Sequence, residues 1–581
     1  MLAQSSGFRL HRSAPHYVLL AFLIALLCVT LLYPIALTVG GAFVKVDAAG
    51  TRRFTLDHLS LVFQDPRLLR GLFNSFRIAA TTTVLTILIA LPLAVCAAKY
   101  RFPFKAVFGS LILVPLILPP FVGALGMQAL LGREGAINSL LGAQMDFLGN
   151  AKFWGVVGLQ ALALYPIIYL NATAALANLD PALEEAAENL GCGPLRRFFT
   201  ITLPLIRPGL FAGATIVFIW SFTELGTPLV FDYAEVTPVQ IFTGLKEVET
   251  SAEPYALTVV MLFSAITIYT LGRVFFGGRA YAMYSKASRA GGERRLTGIG
   301  AWAVTGLFTL VTTCALLPHV GVILLALTAP GQWYQTVLPT SFTLEHFGIA
   351  LGHPESFRSI VNSLKLATAA VAIDLLLGIL IGWVLVRTNI RGRGVLDALC
   401  MLPLAVPGLV MAFGFVAVSL GWPFGKGQPL EGLVSVTGVT PNPIPLLIIA
   451  YAVRRLPYIV RATVAGLQQT SGELEEAAMN LGASRPYAVR KVILPLIAAN
   501  LTAGALLAFS FCMLEVSDSL ILAQQQKDFP ITKAIFMFLN RLGDGPYIAS
   551  AMGVWGMALL TVTLVGAAAL MGKKLGSIFR V

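Results

Sequence analysis

Phe54-Thr55-Leu56-Asp57-His58 returns 288 residues later as Phe342-Thr343-Leu344-Glu345-His346. Asn74-Ser75 and Asn362-Ser363 keep that offset, as do Pro66 and Pro354, Pro115 and Pro403, Pro119 and Pro407, and Gly126 and Gly414. From Pro166 and Pro457 through Gly213 and Gly504 to Glu224 and Glu515 the offset becomes 291, so three residues entered between the two blocks. A period this long, kept over most of a 581-residue chain, means two tandem copies of one folding unit.

What each unit can be follows from its polarity. Of all residues 57% are hydrophobic and 12% charged, where a soluble domain carries about a quarter charged residues. Apolar runs of spanning length lie near 16–39, 73–98, 107–131, 153–175, 206–232 and 255–277, and again near 299–327, 362–387, 395–420, 443–465, 496–524 and 548–571. The fold class is therefore all-α integral membrane, with about twelve transmembrane helices in two six-helix repeats. Six spans per copy is an even number, so the copies share one orientation and are related by an axis along the membrane normal. The expected division is a first transmembrane domain over 1–277, a basic linker over 278–298 and a second domain over 299–581.

The formal net charge of +13 needs no nucleic acid, because Lys and Arg concentrated in loops on one side of a bilayer give the same excess. Arg9, Arg12, Lys99, Lys105, Arg196, Arg197, Arg279–Arg295, Arg387–Arg393, Arg485–Lys491, Lys573 and Lys574 all fall on one face. That face is read as cytoplasmic, with both termini on it. The first run lacks a small-residue cleavage site and is longer than a signal-peptide core. Six scattered cysteines with no Cys-x-x-Cys pair support neither a disulfide framework nor a metal site.

Two polar islands interrupt the apolar chain on that same face. Glu184-Glu185-Ala186-Ala187-Glu188-Asn189-Leu190-Gly191 runs on to Ile201-Thr202-Leu203-Pro204, and Glu475-Glu476-Ala477-Ala478-Met479-Asn480-Leu481-Gly482 runs on to Val492-Ile493-Leu494-Pro495. Each reads as helix, break, helix. Acidic residues sit in the first turn, where they complement the helix dipole, and Gly191 and Gly482 stand where a left-handed C-cap would end the first helix. A second short helix is expected from Pro194 to Thr202, with Pro204 opening the next span. Arg207-Pro208 in the first copy is replaced by Ala498-Ala499 in the second, so the islands need not be equivalent.

This pattern resembles the Glu-Ala-Ala loop of permease subunits in binding-protein-dependent ATP-binding-cassette importers, and the resemblance covers nearly all of both halves. It implies the type I importer fold in the bacterial inner membrane. It also implies coupling loops at about 176–205 and 466–496, with Glu185, Ala186, Ala187, Gly191, Leu203 and Pro204 in the first and Glu476, Ala477, Ala478, Gly482, Leu494 and Pro495 in the second. Two separate ATPase subunits would use the ATP, and a periplasmic or membrane-tethered solute-binding protein would deliver the cargo. The chain itself has no phosphate-binding loop, since Gly421–Gly427 and Gly572-Lys573-Lys574 have the wrong spacing. It has no catalytic constellation and no metal-ligand spacing either.

Ionisable groups inside hydrocarbon are costly and face a cavity or a partner. Glu224 and Glu515, expected in the fifth helix of each half, are candidates to line the translocation path. Arg454 and Arg455 lie in the tenth run, opposite Ala163 and Leu164 of the first half. They are expected to snorkel to the interface, or else to pair with Asp374 or meet an anionic cargo. His58 and His346 repeat each other and read as surface structure. Fused permeases of this length resemble those of the ferric-iron importers and their relatives for phosphonates such as 2-aminoethylphosphonate; polyamine and sulfate-type importers share the loop. Glu224 and Glu515 lean towards a cation, Arg454 and Arg455 towards an anion. A gradient-driven secondary transporter with a fused parallel repeat is the alternative.

Overall fold

A computed structural model describes residues 5–46, 52–116, 118–145, 148, 152–276 and 294–571. Among these, nine helices are long and apolar enough to cross a membrane, or eleven if each of two bent pairs is one span. In the first half they are Pro15–Phe43, Pro66–Lys99, the pair Lys105–Leu116 and Pro120–Leu141, Lys152–Ala177, Pro194–Val230 and Glu253–Val274. The second half repeats the series as Gly298–Leu327, Pro354–Arg387, the pair Arg393–Ala405 and Gly408–Leu420, Pro486–Met513 and Gly545–Gly566. Its fourth member, Ile444–Gln469, matches Lys152–Ala177 in length and place, but Arg454, Arg455 and Arg461 make it too polar for that count. The basic linker at 278–298 falls largely outside the described residues, as do Lys573 and Lys574.

The third spans are not the straight helices expected near 107–131 and 395–420. They bend by 101° and 104°. The bends fall at Pro119 and Pro407, both with extended ψ, each acting as the cap of the helix that follows. Proline also pushes its predecessor out of the helical region; Val406 accordingly has φ −82° and ψ 129°.

The repeated residues are structural joints. Thr55 Oγ1 accepts from the Asp57 amide at 3.0 Å and Thr343 Oγ1 from the Glu345 amide at 3.1 Å, each at the start of a short helix. Asn74 Nδ2 donates to the Glu235 carbonyl and Asn362 Nδ2 to the Phe529 carbonyl, both at 2.9–3.2 Å. Ser75 and Ser363 accept from the first amides of the helices Thr237–Gly244 and Ile531–Leu539 at 2.9 and 2.8 Å. Each Asn-Ser pair thus caps one short helix, satisfying backbone groups that lipid cannot.

Lipid tails give no hydrophobic drive for helix association, so helices meet at small residues. A β-carbon at Gly213 would lie 3.3 Å from Ile168 Cα, and one at the matching Gly504 would lie 2.7 Å from Ala462 Cβ. Both glycines seat the fifth span on the fourth. Gly126 and Gly414 do the same across the halves. A β-carbon at Gly126 would be 2.2 Å from the Pro318 carbonyl oxygen, and one at Gly414 would be 2.9 Å from Pro34 Cβ. The first span of each half therefore packs on the bent third span of the other, and the halves interlock.

His346 is a buried structural residue, not a surface one. Its Nε2 lies 2.8 Å from the Thr328 carbonyl oxygen and its ring stacks on Tyr547 at 5.1 Å.

Candidate functional site: two polar islands and an intramembrane charge cluster

Asp180 accepts from the Ala182 amide at 3.0 Å and starts the helix Pro181–Asn189. Its end is closed by a pair of backbone bonds: the Cys192 amide donates to Ala187 O and the Gly191 amide to Glu188 O, both at 2.9 Å. The second island repeats this ending, with Ala483 donating to Ala478 O at 3.1 Å and Gly482 to Met479 O at 2.9 Å. Gly191 at φ +77° and Gly482 at φ +91° supply the left-handed residue that this motif requires.

The expected second short helix does not stand alone. Pro194–Arg197 continues through a π-helical turn, Phe198–Thr202, into Leu203–Phe222 without a break. Arg485–Ala488, Val489–Ile493 and Leu494–Met513 do likewise. Pro204 and Pro495 lack the N–H that would close an ordinary turn, and their rings crowd the carbonyl four residues back. A widened turn is the local answer.

Each island is tied to its own bundle by the glutamate preceding the pair singled out from sequence. Lys99 Nζ, at the end of the second span, donates to Glu184 Oε1 at 2.6 Å and Oε2 at 2.8 Å, and Thr202 Oγ1 donates to Oε1 at 2.5 Å. Burial raises the Glu184 pKa, but these bonds and the nearby positive charge outweigh it and hold the carboxyl below its ordinary value. In the second half Arg387 lies 3.9 Å from Glu475 and donates to the Thr470 carbonyl at 2.8 Å. Glu185, Ala186, Gly191 and Pro204 face outward, Ala187 is buried and Leu203 is half-buried. Glu476, Ala477, Gly482 and Pro495 face outward, with Ala478 and Leu494 half-buried. Leu190 and Leu481, at the matching tips, are 88% and 90% exposed, more than single surface leucines need be.

The islands differ in their bracing. Glu188 is paired with Arg197 at 2.7 Å and Arg294 at 3.2 Å, and Arg294-Arg295 runs parallel to Tyr100-Arg101. Bonds from Arg197 and Arg294 depress the Glu188 pKa. Met479 and Ala488 hold the corresponding places in the second island.

The carboxylates assigned to the fifth spans sit where the long helix of each one breaks off. Leu203–Phe222 and Leu494–Met513 end at Thr223 and Leu514, so Glu224 and Glu515 lie in breaks before the short helices Gly226–Val230 and Ser517–Leu522. Glu224 accepts from the Thr227 amide at 3.2 Å and its hydroxyl at 3.4 Å. Glu515 is within electrostatic reach of Glu224.

Arg454 and Arg455 do not snorkel. Arg454 bonds Glu515 and lies 3.2 Å from Asp518 Oδ2, while Arg455 bonds the other oxygen of Glu515. The hydrocarbon around them makes a paired, buried arrangement cheaper than an exposed one. Gly408 leaves room for this, since a β-carbon there would lie 2.4 Å from Arg454 Nη2. Asp374 is buried and neither of its oxygens has a hydrogen-bond partner. Asp518 was not singled out from sequence, although its three-residue spacing from Glu515 was visible there.

Two interlocked six-span halves, carrying matched polar islands and a charge cluster within the bundle, define a polytopic membrane transport component. The family model described as "Binding-protein-dependent transport system inner membrane component" matches residues 87–280 and 374–571, once in each half. The chain belongs to this family, and its role is that of a permease in a binding-protein-dependent ABC importer. The "Ferric transport system permease protein FbpB" of Actinobacillus pleuropneumoniae is 28% identical over 83% of this chain and 68% of its own. The "Putative ferric transport system permease protein FbpB 1" of Haemophilus influenzae is 27% identical over 77% of this chain and 68% of its own. The "Molybdenum transport system permease protein ModB" of Escherichia coli is 34% identical over 25% of this chain and 66% of its own. Such a family works with solute-binding and ATPase partners.

Proposed function

We propose that this chain carries ferric iron, delivered by a binding protein, through the inner membrane, and that two ATPase subunits dock on the two islands. Both termini and both islands then face the cytoplasm, and ATP is bound by the separate ATPase chains. The observation that carries the docking role is the matched construction of the islands. Each offers an outward Glu-Ala face and an exposed leucine, on a helix closed by a left-handed glycine and held to the second span by a charged pair. A force on such a helix passes into the bundle through Glu184–Lys99, Glu475–Arg387 and the continuous helix into the fifth span. The residues in docking roles are Glu185, Ala186, Ala187, Gly191, Leu203 and Pro204, with Glu476, Ala477, Ala478, Gly482, Leu494 and Pro495.

Iron is favoured over a phosphonate because relatives matching over most of this chain carry ferric transport in their names. Glu224 and Glu515, related by the repeat, suit a path for a cation, and Arg454 and Arg455 act by holding Glu515. The test is purification of the tagged chain from its native membrane. Co-purifying ATPase should be lost in Glu185→Lys/Glu476→Lys, and vesicles with the assembled system should take up ferric iron and not 2-aminoethylphosphonate. ATPase retained in the double variant overturns the docking role, and uptake driven by an ion gradient without ATP overturns the importer.

A further inference from the structure

The second half carries a set of intramembrane charges that the first half replaces with neutral residues. Asp374 stands where the first half has Thr86, Arg454 and Arg455 where it has Ala163 and Leu164, and Asp518 where it has Thr227. Glu515 alone has a charged counterpart, Glu224.

Within that set two buried groups are unsatisfied and complementary. Asp374 has two acceptor oxygens without a partner, and Arg455 has an Nε–H without one. The helices that bear them fix their relative position. A β-carbon at Gly378 would lie 2.6 Å from Ile459 Cγ2, and one at Gly382 would lie 2.6 Å from Thr463 Cγ2. Pro354–Arg387 and Ile444–Gln469 therefore run parallel in constant register. One turn before Gly378 and Ile459, that register sets Asp374 beside Arg455. The charge of Arg455 acts on Asp374, and Cys512 lies within reach of both. Arg455 is bonded to Glu515, which lies in the break after the fifth span, the element that continues into the second island. A carboxyl buried without a partner favours the neutral acid over the ion, which burial penalises.

We propose that Asp374 is the alternate partner of Arg455: when the fifth span moves, the Arg455 guanidinium passes from Glu515 to Asp374, and Glu515, still bonded to Arg454 through one oxygen, turns the other to the path together with Glu224. As the guanidinium arrives, Asp374 gives its proton to water in the opened path, and the return movement reverses both steps. The second half thus unmasks a carboxylate oxygen only in the moving state, whereas the first half has Ala163 and Leu164 where these arginines stand. Asp374 is a positioning residue, acting through Arg455. The inference rests on the reading of these carboxylates as part of the path of an ATP-driven importer.

The test uses the full complex of this chain with its ATPase and binding protein in vesicles. Asp374→Asn keeps the shape but cannot form the ion pair. It should assemble and melt no lower than the parent, yet lose about tenfold or more in ATP-driven ferric uptake, and Asp374→Glu should restore most of that loss. Infrared difference spectra between the resting and vanadate-trapped parent, with isotope-labelled aspartate, should show a carboxylic-acid carbonyl band vanish on trapping. Uptake by Asp374→Asn within about twofold of the parent overturns the exchange. So does an acid band that trapping leaves unchanged, a result the parent gives even if the variant fails to assemble. Absence of ATP-driven uptake in the parent would instead sink the importer reading.

Discussion

Phe242 and Phe536 meet edge to face, 6.2 Å between ring centroids, with their planes at 89°. They occupy the corresponding positions of the two short helices that the Asn-Ser pairs cap, so the contact joins the two halves where they are related to each other. Lys533 lies against the same Phe242 ring at 5.4 Å and donates to the Leu520 carbonyl at 3.0 Å.

An edge-to-face aromatic pair is worth about 1 kcal/mol beyond its buried area. A double-mutant cycle of Phe242→Leu and Phe536→Leu, read by detergent-titrated unfolding, should return a coupling of about that size. Strict additivity would mean that the rings are neighbours without being partners.

The Lys99–Glu184 pair is less than a third exposed, 26% and 22%. Hydrogen bonds to charged groups contribute about 1.5–3 kcal/mol, and partial exposure puts this one at the lower end. Lys99→Met should loosen the helix Pro181–Asn189, raising its amide exchange while leaving Glu473–Asn480 as it was. Unchanged exchange over the first island would show that the tether carries no force.

The depressed pKa values of Glu184 and Glu188 set the sign of an acid effect. A carboxyl with a folded pKa below its unfolded value, about 4.3, contributes stability present above that value and lost as pH falls through the folded pKa. Protection of the first island should therefore hold down to about pH 4.3 and fall below it, and Glu188→Gln should flatten part of that fall. A pH-independent first island would contradict the bonding described.

Gly191 and Gly482 have nothing within 4 Å of a would-be β-carbon, so alanine there is strained by conformation alone. The cost should be about 1 kcal/mol for each substitution. The double variant Gly191→Pro/Gly482→Pro should insert but release or uncouple the ATPase. Normal uptake in that double variant would remove the docking role.

At Gly126 the neighbour is backbone, 2.2 Å from a would-be β-carbon, and neither chain can yield cheaply. Gly126→Val should prevent the halves from interlocking and leave a chain that aggregates on extraction, whereas Gly109→Val, in open space, should behave as the parent. A well-behaved Gly126→Val protein would mean the crossing is looser than drawn.

Much of this is legible in the sequence. Apolar runs of spanning length, two copies at a fixed offset and two islands ending in Leu-Pro are one-dimensional facts, and the bilayer converts them into helices because it leaves backbone groups no other partner. The left-handed glycines were readable for the same local reason. What sequence missed depends on distance in space. Pro119 and Pro407 were seen as repeated residues, but the sharp bends they cause were not. Glu224 and Glu515 were placed in a helix because the apolar run continues past Phe222 and Met513, whereas the helix itself stops there.

The sequence by itself determined the membrane class, the duplication, the orientation parity and the local form of the islands, since these follow from hydropathy, period and backbone preference. The tertiary structure alone decided which glutamate holds each island, that Arg454 and Arg455 serve Glu515 and Asp518, and that Asp374 waits beside Arg455 without a partner. Charge pairing inside a bundle depends on which helices are neighbours and in what register, and no spacing along one chain encodes that.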